Sequence, residues 1–558
     1  MHPGLLLVIA IFVAPALGQA PTRRLPVGPA TPAEPAVVQD PGAAGAEVGP
    51  KPMRAIRAER LLQHAKFLTS DELGGRLTGM PGQALAADYI AAQFASCGLE
   101  PLGDVVDGKP TFLQHYPISR TSLAATSQLA VGDLRFDDGF AVLGAAPIDE
   151  RIGGELRFVG FGSTSGGTPD VADGDLGDRI AVVALRRPRG RTPAKLDSER
   201  KFMMSMQALS QVGRTAKGLA ASGAKAILFV ELDDPVGLQD ALNYLALSPG
   251  KDLVAPRFPG ADAMLSQMAP KGGGPPVLVL SLAASERLLG ALDITPAAFR
   301  AYVGGEGERP AGRADVAGTL ALKVEHHDDA TATNVVAVLR GGDPQLAGEA
   351  LVYSAHMDHV GRRLDGAIFH GADDNASGTS GLLEIAAAWA HSPEKPRRSI
   401  VFLSVSGEEM GLWGSKFFAQ NPTWPIGNVV ADINTDMIGR SGAESGPLEV
   451  TVTPSHDHRM FSTIVRDAAG FAEQLGLSFN SGDKYYMRSD HYNFAELGIP
   501  VVFFCNGEHE DYHQVTDTFD KLDGAKMERL ARLAFWTGWS VANADERPRR
   551  LGARADWR

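Results

Sequence analysis

From about Gly318 to Ala542, short apolar runs alternate with stretches of helical spacing, and no other pattern restricts the possible folds as much. The runs "ALVYSAHMDH", "RSIVFLSVSG", "VVADINTDMIG" and "IPVVFFCNG" read as strands. Between and after them "SGLLEIAAAWAHS", "GSKFFAQ", "HRMFSTIVRDAAGF" and "MERLARLAFWTGWSVANA" read as helices. Parallel strands need a crossover, and helical crossovers cover the sheet faces. The expectation is therefore an α/β fold with a mostly parallel, doubly wound sheet. No internal repeat at a fixed period competes with it.

The chain has 558 residues, more than one domain of about 100–200 residues. Residues 1–20 read as a signal peptide, with an apolar run from Leu5 to about Leu17, then small residues, then Arg23 and Arg24. An uncleaved anchor is the rival reading, because the segment before the run carries no Lys or Arg. Residues 21–52, rich in Pro, Ala and Gly, read as a linker. Residues 53–127 contain two helical blocks broken by "DELGGRLTG" and form the first part of the main domain. Residues 128–285 carry short β-rich runs such as "RIAVVALRR", "AKAILFVEL" and "PPVLVLSL", which suggest a smaller β-rich inserted domain. Residues 286–545 form the main part and 546–558 a tail. No later run of roughly 18 or more apolar residues predicts a membrane span. A periplasmic or secreted protein follows from the signal.

Hydrophobic residues make up 44% and charged residues 21%, which excludes general disorder and a fibrous chain. A net charge of -13 argues against a nucleic-acid partner, since phosphate binding needs a basic surface. Cys97 and Cys505 alone build neither a disulfide framework nor a thiolate zinc site. A metal in this chain must be held by His and carboxylates. Oligomeric state has no signature in the sequence.

Functional side chains of open α/β sheets gather beyond the carboxyl ends of the strands. "ALVYSA" is followed by His356 and Asp358, "SIVFLSVSG" by Glu408 and Glu409, "VVADINT" by Asp436, and "VVFFCNGEHEDY" by His513. Asp374 sits in a glycine-rich loop heading a helix. Taken singly, a strand-end His is usually an ordinary satisfied residue, a Glu pair usually surface, and an Asp in a Gly loop usually a turn or cap. Their joint placement favours chemistry. The N and O donors suit zinc or a similar divalent ion. Two His, two Asp and one Glu are too many for one tetrahedral ion and match two ions sharing a carboxylate, a hydrolytic arrangement with ions roughly 3.5–4 Å apart.

The ordered set "SAHMDHVG", "GADDNASG", "SGEEMGLWGS", "NTDMIG", "SDHYNFAELGIP" and "DYHQVTDT" resembles the secreted co-catalytic dizinc aminopeptidases, zinc exopeptidases related to bacterial leucyl aminopeptidases. The middle block, through "LGDRIAVVALRR" and "AKGLAASGAKAILFVEL", resembles a protease-associated domain. The resemblance implies that Asp374 bridges two zinc ions, one also held by His356 and Asp436, the other by Glu409 and His513. Asp358 is expected to orient the His356 imidazole. Glu408, next to a ligand and so unable to face the same metal, is expected to act as general base on the bridging water and then as acid toward the leaving amine. Tyr512 resembles the tyrosine that steadies the developing oxyanion. Asp490 and His491 belong to the pocket surroundings. "EHHDD" at 325–329 and "SHDH" at 455–458 are not expected to be ligands, and His359 is expected to face away.

The implied function is an exported aminopeptidase acting on peptides, with Glu508, Glu510 and Asp511 as candidates for the free ammonium group. Arg488 keeps a carboxypeptidase or dipeptidase as the alternative. A binding protein on an inactive scaffold, or a single-zinc glutaminyl cyclase, is disfavoured by the complete ligand set. The inserted domain is free to gate substrate access or to bind other partners.

Overall fold

A computed structural model describes residues 48–143, 149–164, 169–172, 174–185, 198–234, 237–261, 274–442 and 445–553. The expected signal peptide, most of the linker and the end of the tail lie outside these residues. Among the described residues, no helix is long and apolar enough to cross a membrane.

The centre of the main sheet follows from its four apolar runs. Ser399–Val405, Ala350–His356, Val429–Thr435 and Val501–Cys505 lie side by side in that order, all parallel. Every residue in these strands is buried, as expected for strands covered on both faces. Beyond them the sheet turns antiparallel. Ala317–Leu339 pairs against Ser399–Val405 on one side, and Glu449–Thr453 against Val501–Cys505 on the other. The sheet is thus parallel at its centre and mixed at its rims.

Helices Ala58–Leu68, Pro81–Ser96, Gly378–Ala390, Thr463–Gln474 and Gly524–Asn543 pack on one face through Leu61, Ile90, Leu382, Ile464 and Leu530. Trp413–Gln420 and His491–Glu496 cover the other with Phe418 and Phe494. At about 25 cal/mol per Å² of apolar surface, burial on both faces is the main force fixing the strand ends in space.

Leu113–Leu123 runs antiparallel to Ala317–Leu339, from Leu113↔Val335 to Leu123↔Val324. This ribbon, which Leu253–Pro256 joins antiparallel along Leu113–Leu123, carries the chain out of the main sheet and back. Beyond it lies a second sheet, in which Asp149–Phe158, Ile180–Ala184, Ala226–Val230 and Val277–Leu280 are parallel neighbours and Phe140–Leu143 closes antiparallel. A helix, Ser198–Ala221, packs beside it, so the inserted block is α/β as well as β-rich. The expected boundary at 285/286 falls inside this block. Leu282–Ala291 and Pro296–Gly304 contribute Leu288, Leu289 and Phe299 to its core, and the chain returns only along Ala317–Leu339. Helical spacing alone does not say which of two cores a helix joins.

Candidate metal centre

The parallel strands deliver their following residues to one edge. His356 ends its strand, Glu408 and Glu409 follow Val405, Asp436 follows Thr435, and His513 stands within the loop after Cys505. His356 Nε2 lies 3.4 Å from Asp374 Oδ1 and 3.3 Å from Asp436 Oδ1. His513 Nε2 lies 3.0 Å from Asp374 Oδ2 and 2.9 Å from Glu409 Oε2. The two oxygens of Asp374 therefore face two different histidine–carboxylate pairs. Glu408 Oε2 is 3.9 Å from His356 Nε2, and the Tyr512 ring stacks on His513 at 3.9 Å between centroids.

Do these residues fit metal ions? Zinc–ligand bonds of about 2.0–2.2 Å in a tetrahedron separate ligand atoms by about 3.3–3.5 Å, close to the His356, Asp374 and Asp436 spacings. His356 Nε2, Asp374 Oδ2 and Asp436 Oδ1 are buried without a hydrogen-bond partner. An ionised group taken out of water costs several kcal/mol unless compensated. A cluster rich in carboxylates and left unsatisfied at its inward-facing atoms fits a dication. His356, Asp374 and Asp436 converge as one such group, and His359, Asp374 and Glu409 as another.

The electrostatics carry the same imprint. Burial pushes the Asp374 carboxyl up, but the close imidazoles of His356 and His513 and the charge of His359 outweigh it and hold the group well below the carboxylate range. Burial raises the Glu408 carboxyl well above that range; His356 opposes this, while the charges of Asp436, Asp490 and Glu409 add to it. Burial lowers His513, but Glu409 and Asp374 overcome it and lift the imidazole to about 10.

Four supports hold the ligand loops. Arg76, fully buried, donates from Nε to Met357 O at 2.7 Å, from Nη1 to His370 O at 2.7 Å and from Nη2 to Gly371 O at 3.0 Å, tying the His356 loop to the Asp374 loop. Thr78 Oγ1 donates to Asp358 Oδ2 at 2.8 Å and accepts from Gly407 N at 2.9 Å. Asn375 Oδ1 accepts from Gly378 N and Met437 N, which joins the loop to the Asp436 turn. Asp517 accepts from the backbone N–H groups of Asp373 and Asp374 at 3.0 and 3.1 Å. Gly371, with φ of 56°, has no room for a side chain: a Cβ there would strike Asp374 O and the His359 ring. That close approach explains the small residues of "HGADDNASG". His513 and Met437 also hold left-handed φ of 53° and 58°, a local strain of the kind that collects at functional sites.

Two expectations change. His359, expected to face away, is buried with Nδ1 2.6 Å from Glu409 Oε1. The chain leaves extended geometry after His356, so strand alternation no longer sets its direction. Asp358 touches the His356 ring chiefly through its own carbonyl, at 3.2 Å from Nδ1, whereas its carboxylate is 3.7 Å away and engaged with Thr78 and Glu408 N. The sequence reading also passed over Ser489, which donates to Asp436 Oδ2 at 2.9 Å and receives Asn434 Nδ2 at 2.7 Å. Arg76 and Thr78 were signalled only as a glycine-rich break, "GGRLTG".

The remaining candidates separate cleanly. Asp490 is buried, accepts from Ser415 Oγ and is raised to about 7, first by burial. His491 stacks on Phe503 at 4.6 Å. Asp511 is bound to Arg440 and Lys521, both at 2.8 Å, and Glu510 is exposed. Glu508 alone of the three acids lines the cleft, with Asp374, Glu408, Asp436, Arg488 and Tyr512. Its carboxylate pairs with Arg488 at 2.6 Å. His326 and His327 lie on the ribbon paired with Thr121 and Arg120, and "SHDH" lies in a turn in which Ser455 bonds Asp483.

Comparison with known proteins agrees with this geometry. Residues 334–537 match peptidase family M28. A probable zinc metalloprotease of Pyrenophora teres f. teres is 31% identical over 248 residues, spanning 39% of this chain and 50% of that protein. A probable leucine aminopeptidase of Arthroderma otae is 28% identical over 240 residues, spanning 41% and 63%. The chain thus spans about half to three-fifths of the length of these curated relatives. A solved zinc aminopeptidase from Bacillus subtilis, 18% identical with a TM-score of 0.53, shares the fold over 88% of this chain and 96% of its own. Residues 334–537, the stretch similar to peptidase family M28, are those whose strand ends carry the His–carboxylate centre.

Proposed function

We propose that this chain is an exported dizinc aminopeptidase that removes N-terminal residues from peptides. The observation that carries the reading is the division of Asp374, one oxygen toward His356 and Asp436, the other toward Glu409 and His513. Divalent ions bound there supply a strong charge for the scissile carbonyl oxygen and lower the pKa of water from about 15.7 to about 7.

The protein's own groups do the rest. Glu408, whose carboxylate lines the cleft 3.9 Å from His356 Nε2, is poised to take a proton from the attacking water and give it to the departing amine. Tyr512, at the cleft wall, is placed to donate to the oxyanion as it forms. Arg488 is matched by Glu508 and lies over the rings of Tyr485 and Tyr512, so the two charges of the cleft wall balance each other. The inserted block, read as protease-associated, reaches the site edge: Lys201 donates to Gln514, and Gln514 Nε2 donates to His513 O at 2.6 Å. This contact supports a role in bounding substrate access. Export rests on the signal-like start of the chain.

One peptide offered free, N-acetylated and C-amidated, with products identified by mass spectrometry, tests the reading. Release of N-terminal residues that acetylation blocks is the expected result. Cleavage that survives acetylation and stops on amidation would turn the assignment to a carboxypeptidase. No cleavage in any form, with metal supplied, would favour a dipeptidase, a cyclase or a binding role.

A further inference from the structure

His359 stands inside the centre without a part in the chemistry above. We propose that it is the positioning residue of the second metal subsite, fixing Glu409 so that a single carboxylate oxygen is offered to the ion; this rests on the two-ion reading of the site.

The geometry separates the two oxygens of Glu409. Oε2 lies 2.9 Å from His513 Nε2, on the side that Asp374 Oδ2 also faces. Oε1 points the other way and receives His359 Nδ1 at 2.6 Å, a short, fully buried hydrogen bond. The same Nδ1 stands 3.8 Å from Asp374 Oδ2, wider than the spacing of about 3.3–3.5 Å between neighbouring ligands of a tetrahedral zinc. His359 Nδ1 is therefore committed to the outer oxygen of Glu409, and the proposal assigns it that grip in place of a ligand's role in the His359, Asp374 and Glu409 group. Its own placement is rigid. Its backbone N–H donates to Arg76 O at 3.3 Å, and its ring lies against Gly371, where no Cβ fits. Glu409 is on a turn after its strand, where a carboxylate with two free rotamers would otherwise swing between one-oxygen and two-oxygen contacts. Groups that orient a ligand from behind typically change metal affinity 10–100-fold when removed.

The test compares zinc binding by the wild-type protein, His359→Leu and His359→Asn, by competition against a chelator with metal counted by mass spectrometry. Asn offers an amide N–H near the position of Nδ1; Leu offers none. Two equivalents in the wild type, one of them weakened 10–100-fold in His359→Leu and recovered in His359→Asn, is the expected result. Equal affinities for both ions in wild type and His359→Leu would overturn the proposal, as would failure of His359→Asn to recover the weakened ion. X-ray absorption at the zinc edge adds a readout independent of activity: two histidines shared by two ions in the wild type are expected, and three would make His359 a ligand and overturn the positioning role. Should His359→Leu not fold, judged by circular dichroism, His359→Ser replaces it with the same expectations. A wild-type protein that binds one equivalent only would refute the two-ion reading itself, a result distinguishable from every outcome among the variants.

Discussion

The main sheet and the inserted sheet are built from the same local material and differ in how their strands end. In both, parallel strands such as Val429–Thr435 and Ala226–Val230 are buried at every position. In the inserted block the polar groups just beyond are satisfied within the protein. Glu231 accepts from Gln239 Nε2 at 2.6 Å, and Ser281 caps the next helix by accepting from Ala284 N. Among the described residues, no buried side-chain nitrogen or oxygen between 128 and 322 lacks a hydrogen bond, whereas the main sheet leaves His356 Nε2, Asp374 Oδ2 and Asp436 Oδ1 without one. Burial of the strands is common to both. Unmatched charge at their ends is not, and that is what distinguishes a site from a core.

If that contrast is the right one, removing the shared carboxylate should have the largest effect. Asp374→Ala is expected to lose zinc from both subsites and to reduce peptide hydrolysis to background; metal analysis showing two retained equivalents would break the contrast. Glu408→Gln should lower kcat by about 10²–10⁴-fold with the zinc content unchanged, as expected for a proton carrier that is no ligand. A change in the inserted core should do the opposite. Leu228→Ala, at a fully buried strand position, is expected to cost about 2–5 kcal/mol in denaturant unfolding while zinc content and kcat stay at the wild-type level.

The last prediction concerns the buried Lys251 of the inserted block, which burial lowers to about 7 from its ordinary value. Its folded pKa lies below its unfolded one, so between about 7 and about 10.4 the unfolded chain binds more protons and stability rises with pH. The penalty is fully present below about 7 and relieved toward 10.4. Lys251→Met should raise the melting temperature at pH 7 and flatten this rise. A variant with the same slope as the wild type would show that another group sets it.

Much of the site is legible without a structure because it is written in short-range terms. Strand spacing places His356, Glu409 and Asp436 at carboxyl ends, and a parallel sheet brings those ends to one edge. The parts that the sequence conceals depend on contacts between distant segments. Arg76 bonds carbonyls at 357, 370 and 371, and Ser489 bonds Asp436 across 53 positions. No local period announces such partners, because they are selected by loop closure and packing.

The alternation of apolar strand and helix, and the acids and histidines that follow each strand, were determined by the sequence alone, since both depend on backbone periods of a few residues. The tertiary structure alone decided three things: that the sheet turns antiparallel at its rims, that the helices after residue 281 join the inserted core, and that His359 turns inward to Glu409. Each is a choice among partners that local propensity leaves equal, and only the burial of whole faces and the pairing of charges inside them select one.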